Sequence, residues 1–298
     1  MNNKILCIGE FLWDSLPKGL FLGGAPFNVA CHLNMLGEDC KMISRVGHDL
    51  LGNQAILRLT QKGLSHEFIQ IDEKYSTGLV NALLDVNGNA SYNILEPAAW
   101  DFIELNDNIT SYASGVKVMI FGSLAQRNPK NRFTIKTLRK NVPLTVFDVN
   151  LRPPFDNVEI IRESLIGTNI VKMNDSELSV ISKWFGFPSD LKQAANALSS
   201  LFNTETVCIT QGEKGAFLWN KNSWAEHPGY KVKVQDTVGS GDAFLAALVA
   251  GILAGNDNYK ILAFANAVGA YVASCDGATP VLHLNEIYEL QNSRDQLQ

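Results

Sequence analysis

The sequence predicts an α/β protein: a doubly wound, mostly parallel sheet flanked by helices, with a small antiparallel β lid beside it. Three observations lead there. Short, nearly continuous apolar runs alternate with longer helical patterns, as in strands buried on both faces and joined by crossovers. Two stretches near the N-terminus break that rhythm with period-two alternation. No internal repeat, low-complexity run or linker divides the chain, so residues 1–298 read as one unit.

The elements follow in order. Lys4–Gly9 (KILCIG) is the first buried strand. Leu12–Phe21 alternates and reads as a strand of the lid. Phe27–Leu36 is a helix, apolar at Val29, His32–Leu33 and Leu36, and Gly37 stops it. Leu50–Lys62 is the second helix. Thr77–Ile94 alternates again and contains Asn87-Gly88, a strong two-residue hairpin signal. Segments of about 12–22 and 77–100 would then form a layer able to close over a ligand. Further strands fall at Lys117–Phe121, Thr145–Val149, Ile170–Met173 and Val207–Thr210. Further helices fall at Asn131–Lys140, Asp175–Phe185, Ser189–Leu201, Ala243–Ala254 and Tyr259–Ser274.

Composition narrows the function. The chain is 46% hydrophobic and 18% charged, which excludes a disordered or collagenous protein. With 25 basic against 30 acidic residues and no long Lys/Arg cluster, it lacks the footprint of a nucleic-acid binder. The longest apolar run, Ala243 to Gly255, is too short to span a bilayer, and the N-terminus carries no secretory pattern. Five widely spaced cysteines without a CxxC read as reduced, buried thiols. These bounds predict a cytoplasmic enzyme. The five histidines show no metal spacing, and neither a Walker A sequence nor a G-x-G-x-x-G after the first strand is present.

The strongest motif is DTVGSGD, Asp236 to Asp242, followed at once by an apolar helix. Glycines before a helix let its free amides converge on one point, and the helix dipole adds positive charge there. An acid beside such an anion site makes sense if Asp242 takes a proton from a hydroxyl that then attacks the anion. The competing reading is that Ser240 caps the helix and Asp242 is an ordinary first-turn acid. Upstream, Gly23 and Gly24 precede Pro26 and Asn28, a turn that admits close approach of a ligand to backbone amides. Asn28 would add a donor and an acceptor, or else simply face solvent.

These two segments together resemble the signatures of the ribokinase-like (PfkB) sugar kinases, in the right order and with intermediate motifs between them. The resemblance implies that Asp242 is the base and that Gly239, Ser240 and Gly241 form the anion-binding turn. It also implies that Gly23, Gly24 and Asn28 bind sugar hydroxyls, together with Asp14, five residues after Gly9 in GEFLWDSLP. Asn174 and Glu177 match an N-x-x-E motif implicated in placing magnesium and phosphate, although the same spacing is a helix capping arrangement. Thr210, Gly212 and Gly215 resemble a nucleotide loop, a form also shared by plain hairpin turns, and Asn266 falls where relatives hold adenine. Asp236 and Gly277 resemble a monovalent-cation site. The implied co-substrate is ATP, with Mg2+ held by Glu177 through water, and K+ at the second site. Relatives often form a homodimer through their lid strands.

Two segments bear on the sugar. DVNLRPP, Asp148 to Pro154, and EPAAWD, Glu96 to Asp101, resemble the fructokinase branch more than ribokinases or adenosine kinases. Arg152 would offer a fork of donors to an anionic group, and Trp100 would pack on a sugar face or in the core. Fructose is the first expectation. Kinases for ribose, 2-keto-3-deoxygluconate or tagatose, or a non-catalytic sugar-binding relative, are the alternatives. A ketohexonate would need an extra cation, Arg152 or Arg127.

Overall fold

The protein is described here by a computed structural model covering residues 3–16, 18–84, 90–220 and 223–295. The strands, in chain order, begin with β1 (Lys4–Ile8), β2 (Leu12–Leu16), β3 (Gly19–Gly23), β4 (Asp39–Gly47), β5 (Ile69–Asp72), β6 (Gly78–Leu84) and β7 (Ala90–Ile94). They continue with β8 (Val118–Gly122), β9 (Leu144–Asp148), β10 (Ile170–Asn174), β11 (Thr206–Thr210), β12 (Ala216–Asn220) and β13 (Ser223–His227). The helices are α1 (Ala25–Met35), α2 (Leu50–Gln61), α3 (Asp107–Ser114), α4 (Pro129–Arg139) and α5 (Val158–Leu165). After them come α6 (Asp175–Phe185), α7 (Leu191–Phe202), α8 (Ser240–Leu253), α9 (Asn258–Ala273) and α10 (Leu284–Asp295).

Nine strands form the main sheet in the order β13-β12-β11-β10-β9-β8-β1-β4-β5. It is parallel from β11 to β5, and the antiparallel β12–β13 hairpin closes one edge. From β1 the chain builds outward to β4 and β5, then returns to lay β8 on the other side. The order therefore reverses between β1 and β8. In open α/β sheets the crevice beyond the strand ends at such a point is where ligands bind.

Both faces are covered. Phe27, Val29 and Leu33 of α1 pack on one face with Ala243–Val249 of α8 and Val268 of α9. On the other face lie Ile109, Ile135, Leu138, Ile161, Leu178 and Leu198, from α3 to α7. Helix α8 is apolar all round, so it must be buried all round. That requirement drives its N-terminus, with Asp242, into the crevice rather than into solvent.

The small sheet has the order β3-β2-β6-β7, two antiparallel hairpins joined by the parallel pair β2–β6. The single strand expected over Leu12–Phe21 is two. Gly19 opens β3 at a φ of 137°, which glycine adopts without strain, and the chain reverses there. The expected Asn87-Gly88 turn lies outside the described residues, but the flanking strands pair as a hairpin would require. Strand β4 escaped the sequence reading because Lys41, Ser44 and Arg45 interrupt its apolar run. In the structure Arg45 pairs with Asp72 at 2.7 Å and Ser44 donates to the Gly9 carbonyl at 2.6 Å. No described helix is long and apolar enough to cross a membrane, and the cysteines are free thiols, four of them buried.

Candidate active site

Asp242 sits in the first turn of α8. The helix begins at Gly239, whose φ of 76° turns the chain in, and no side chain caps its amides. Ser240 is therefore not the cap that one reading of the sequence suggested. Its hydroxyl donates to the Gly269 carbonyl at 2.9 Å and ties α8 to α9. Gly239 also lies against the loop after α9: an added methyl would sit 2.3 Å from the Ala278 carbonyl oxygen. Gly239→Ala should displace the turn and lower kcat at least about 100-fold, the effect of misplacing reacting groups by roughly 1 Å. Wild-type turnover in that variant would refute this role for the turn.

Across the crevice, Asn28 of α1 donates from Nδ2 to Asp242 Oδ2 at 2.8 Å. This bond joins residues 214 positions apart and fixes the orientation of the carboxylate. Asn28 is 5% exposed, and its Oδ1 is buried without a partner, so an acceptor there awaits a donor. The turn before α1 is tight. A methyl on Gly24, whose φ is 109°, would sit 2.4 Å from the Glu10 carbonyl oxygen, and one on Gly23 would sit 2.5 Å from Asp14 Oδ2. Of the residues that the family resemblance groups, Gly23 lies against Asp14 on β2 of the small sheet, and the Asn28 amide donates to the Gly24 carbonyl at 3.0 Å.

The acids here are unusually basic. Burial pushes the Asp242 carboxyl up to about 6, with Asp148 adding to the rise while Lys172, Asn28 and Arg152 oppose it. Burial likewise raises Asp14 to about 6 against the pull of Arg152, and Glu10 to about 7. Glu10 is 3% exposed and its Oε2 has no partner. Arg152 is exposed at the rim, its Nη1 donating to the Leu151 carbonyl at 2.9 Å. Glu10 and Lys172 were missed by sequence reasoning, and Asp148 was read only as part of a motif. The legible signal was a lysine inside the apolar run IVKM, which only a buried partner would tolerate.

Of the predicted nucleotide residues, Asn174, Glu177, Thr210, Gly212 and Gly215 gather at the ends of β10 and β11, whereas Asn266 is on α9. Asn174 and Glu177 form a capping box: Asn174 Oδ1 accepts from the Glu177 amide and Glu177 Oε2 from the Asn174 amide, both at 2.8 Å. Glu177 Oε1 also accepts from the Leu151 amide at 2.9 Å. Thr210 lies beside Asn174 in the sheet register. Gly212 and Gly215 form the β11–β12 turn, where Gly215 has a structural reason of its own. A methyl there would lie within 2.5 Å of the backbone at His227, Pro228 and Gly229. Asn266 is buried in α9 and donates to the Leu262 carbonyl one turn back at 2.8 Å.

No three Asp, Glu, His or Cys side chains gather into a metal cage among the described residues. Both Glu177 oxygens already accept from amides, so this donor set suits a hard cation held by phosphates and water rather than by protein carboxylates. Asp236 and Gly277 line one cleft of about 530 Å³ together with Asp14, Phe21, Phe27 and Lys62. Two carbonyls of the loop carrying Gly277 are already engaged, Ala278 by His32 Nε2 at 3.0 Å and Thr279 by the Lys62 ammonium at 2.6 Å. Trp100 is fully buried under the small sheet and presents no face to a sugar. Arg127 is held bidentately by Asp101.

A crevice with a carboxylate against an uncapped helix start, facing a two-glycine turn and an asparagine, is built to move a phosphoryl group onto an alcohol. Residues 19–284 match the pfkB family carbohydrate kinase, and the chain belongs to that family of sugar kinases. An uncharacterized sugar kinase of Pyrococcus horikoshii is 31% identical over 315 residues, spanning 98% of this chain and 97% of its own. Its structure in complex with ATP superposes with a TM-score of 0.83, covering 97% of this chain and 99% of that one. A fructokinase of Klebsiella pneumoniae is 27% identical over 98% of this chain and 100% of its own. The 2-dehydro-3-deoxygluconokinase of Thermotoga maritima, at 19% identity, shares the fold with a TM-score of 0.83 over 98% of this chain and 100% of that one.

Proposed function

We propose that the protein is an ATP-dependent kinase that phosphorylates a primary hydroxyl of a free sugar, fructose first. The observation that carries this reading is the 2.8 Å bond between Asn28 and Asp242, which brings a hydroxyl-reading group to a base at an anion-accepting helix start. Asp14, Gly23, Gly24 and Asn28 hold the sugar, with Arg152 at the rim. Asp242 accepts the proton of the primary hydroxyl, whose oxygen attacks the γ-phosphorus. The bond to the bridging oxygen breaks and its electron pair leaves with ADP. The amides around Gly239–Asp242, of which that of Ser240 also donates to the Thr237 carbonyl at 3.3 Å, take up charge on the transferring group, each free donor worth roughly 3 kcal/mol in such sites.

Asn174, Glu177, Thr210, Gly212, Gly215 and Asn266 are assigned to the nucleotide. Glu177 would help hold Mg2+ through water, and the ion would supply charge neutralisation at the phosphates. A monovalent cation, K+, would draw on Asp236 and Gly277. The chain works as one catalytic unit in the cytoplasm, with segments 12–22 and 77–100 as its lid. Leu20 and Phe21, exposed on edge strand β3, favour pairing of two lids in a homodimer.

The charge of the crevice favours a neutral sugar over a sugar acid. Glu10, Asp14 and Asp242 gather there, with Arg152 the cation that acts on all three, while Arg127 is committed to Asp101. ADP release across fructose, ribose, tagatose, 2-keto-3-deoxygluconate and nucleosides tests the reading, with fructose expected to turn over best. Phosphorylation of none of them would defeat it. Asp14→Ala should raise the sugar KM at least about tenfold with kcat within a few-fold, the mark of lost uniform binding. Unchanged saturation by the sugar would remove Asp14 from the site.

A further inference from the structure

We infer that Lys172 is a positioning residue for phosphoryl transfer: buried beneath the Gly239–Asp242 turn and paired with Asp148, it supplies the fixed positive charge that lets two carboxylates and an incoming phosphoryl group share that turn. The inference rests on the kinase reading above.

Lys172 lies on β10 directly opposite Asp148 in the register of the parallel β9–β10 pair. Parallel neighbours in register point to the same face, here the face covered by α8. Its Nζ is 3.0 Å from Asp148 Oδ1, and the lysine is 7% exposed. A methyl built on Gly241 would lie 3.3 Å from Nζ, so the ammonium packs against the second residue of α8. The other groups facing it are Asp242 from α8, Glu177 from α6 and Cys208 from β11. Burial alone would lower the lysine's pKa, yet Asp148, Asp242 and Glu177 hold it above its ordinary value. It therefore stays charged throughout the working range.

A structural pair alone would not need this placement. Two carboxylates and a phosphate at one helix start repel each other, and the helix dipole supplies only about half a charge. One buried ammonium offsets that repulsion at the point where the phosphoryl group must arrive. It also favours the ionised form of Asp242, whose other charged neighbours are Asp148, Arg152 and Glu10. Lys172 acts through Asp242 and the turn, so the readouts that separate it from plain stability are the pH profile and the split between kcat and KM.

The test follows ADP release with the best sugar in the wild type, Lys172→Arg, Lys172→Met, Asp148→Asn and Lys172→Met/Asp148→Asn, each checked for folding by thermal melting. Lys172→Arg keeps the charge and should stay within about tenfold of wild-type kcat. Lys172→Met should lose about 100-fold in kcat with the sugar KM within about threefold, as when a fixed electrostatic stabiliser is removed. Its acid limb of kcat/KM should move to higher pH, because Asp242 loses a neighbouring cation. A folded Lys172→Met with wild-type kcat and an unmoved limb overturns the inference. If Lys172→Met does not fold, the double variant decides, since it buries no unpaired charge. It should turn over about 100-fold more slowly than Asp148→Asn, and equal rates overturn the inference. A wild type inactive on every sugar would instead defeat the kinase reading itself.

Discussion

Replacing Asp242 with Asn should lower kcat by about 1,000-fold, the scale of losing a general base, while the sugar still saturates the enzyme. The substitution preserves size, and the amide oxygen it introduces can still accept from Asn28, so the turn keeps its shape. What disappears is the lone pair able to take the hydroxyl proton. ADP release under saturating sugar measures the effect, and kcat within about tenfold of wild type would show that another group is the base. The same assignment fixes a pH dependence. Asp242 is held at about 6, above the ordinary aspartate range, by burial first and Asp148 second. Its basic form is lost as pH falls through that value, so kcat/KM should drop about tenfold per pH unit below it. A profile flat to pH 5 would contradict the assignment.

The second large effect is on stability. Asp101→Ala should destabilise the protein by about 3–5 kcal/mol, because it leaves the Arg127 guanidinium buried without its partner. Arg127 Nε and Nη2 each donate to Asp101 at 2.7 Å, and Nη2 also reaches the Leu95 carbonyl at 2.8 Å. The side chains are 6% and 3% exposed, and the guanidinium lies 4.0 Å from the Trp100 ring centre and 4.6 Å from that of Phe155. Asp101 Oδ2 further accepts from the Ala98 amide at 2.9 Å. This knot ties the end of the small sheet to the body of the protein. For a chain of this size the loss corresponds to a fall in Tm of roughly 5–8 °C. The double variant Asp101→Ala/Arg127→Met removes both charges and should recover part of it. A single variant melting with the wild type would mean that the pair contributes nothing.

The outline of the main sheet was legible because strands buried on both faces must be continuously apolar, as KILCI, VMIFG and TVCIT are. The helix before the crevice was legible for the same reason, since α8 has no polar face to expose. Strand β4 was not, because its polar residues are satisfied by Asp72 and Gly9, partners that only the fold brings near. The N-x-x-E segment could be read two ways from the sequence. In the structure the capping bonds form, and Glu177 also reaches Leu151, so the cap itself links β10 to the segment after β9.

Asp14 was legible only through the family resemblance, whereas the two glycine turns and Asp242 could be read from the residue order itself. Their spacing relative to strand and helix starts is local, and local geometry is what residue order encodes. Only the tertiary structure decided that Asn28 bonds Asp242, that Lys172 and Asp148 lie beneath the turn, and that Trp100 and Arg127 belong to the core. Each of these depends on which elements become neighbours, the β9–β10 pair in the case of Lys172 and Asp148. Strand order sets which charges share a buried space, and burial is what raises Asp242, Asp14 and Glu10.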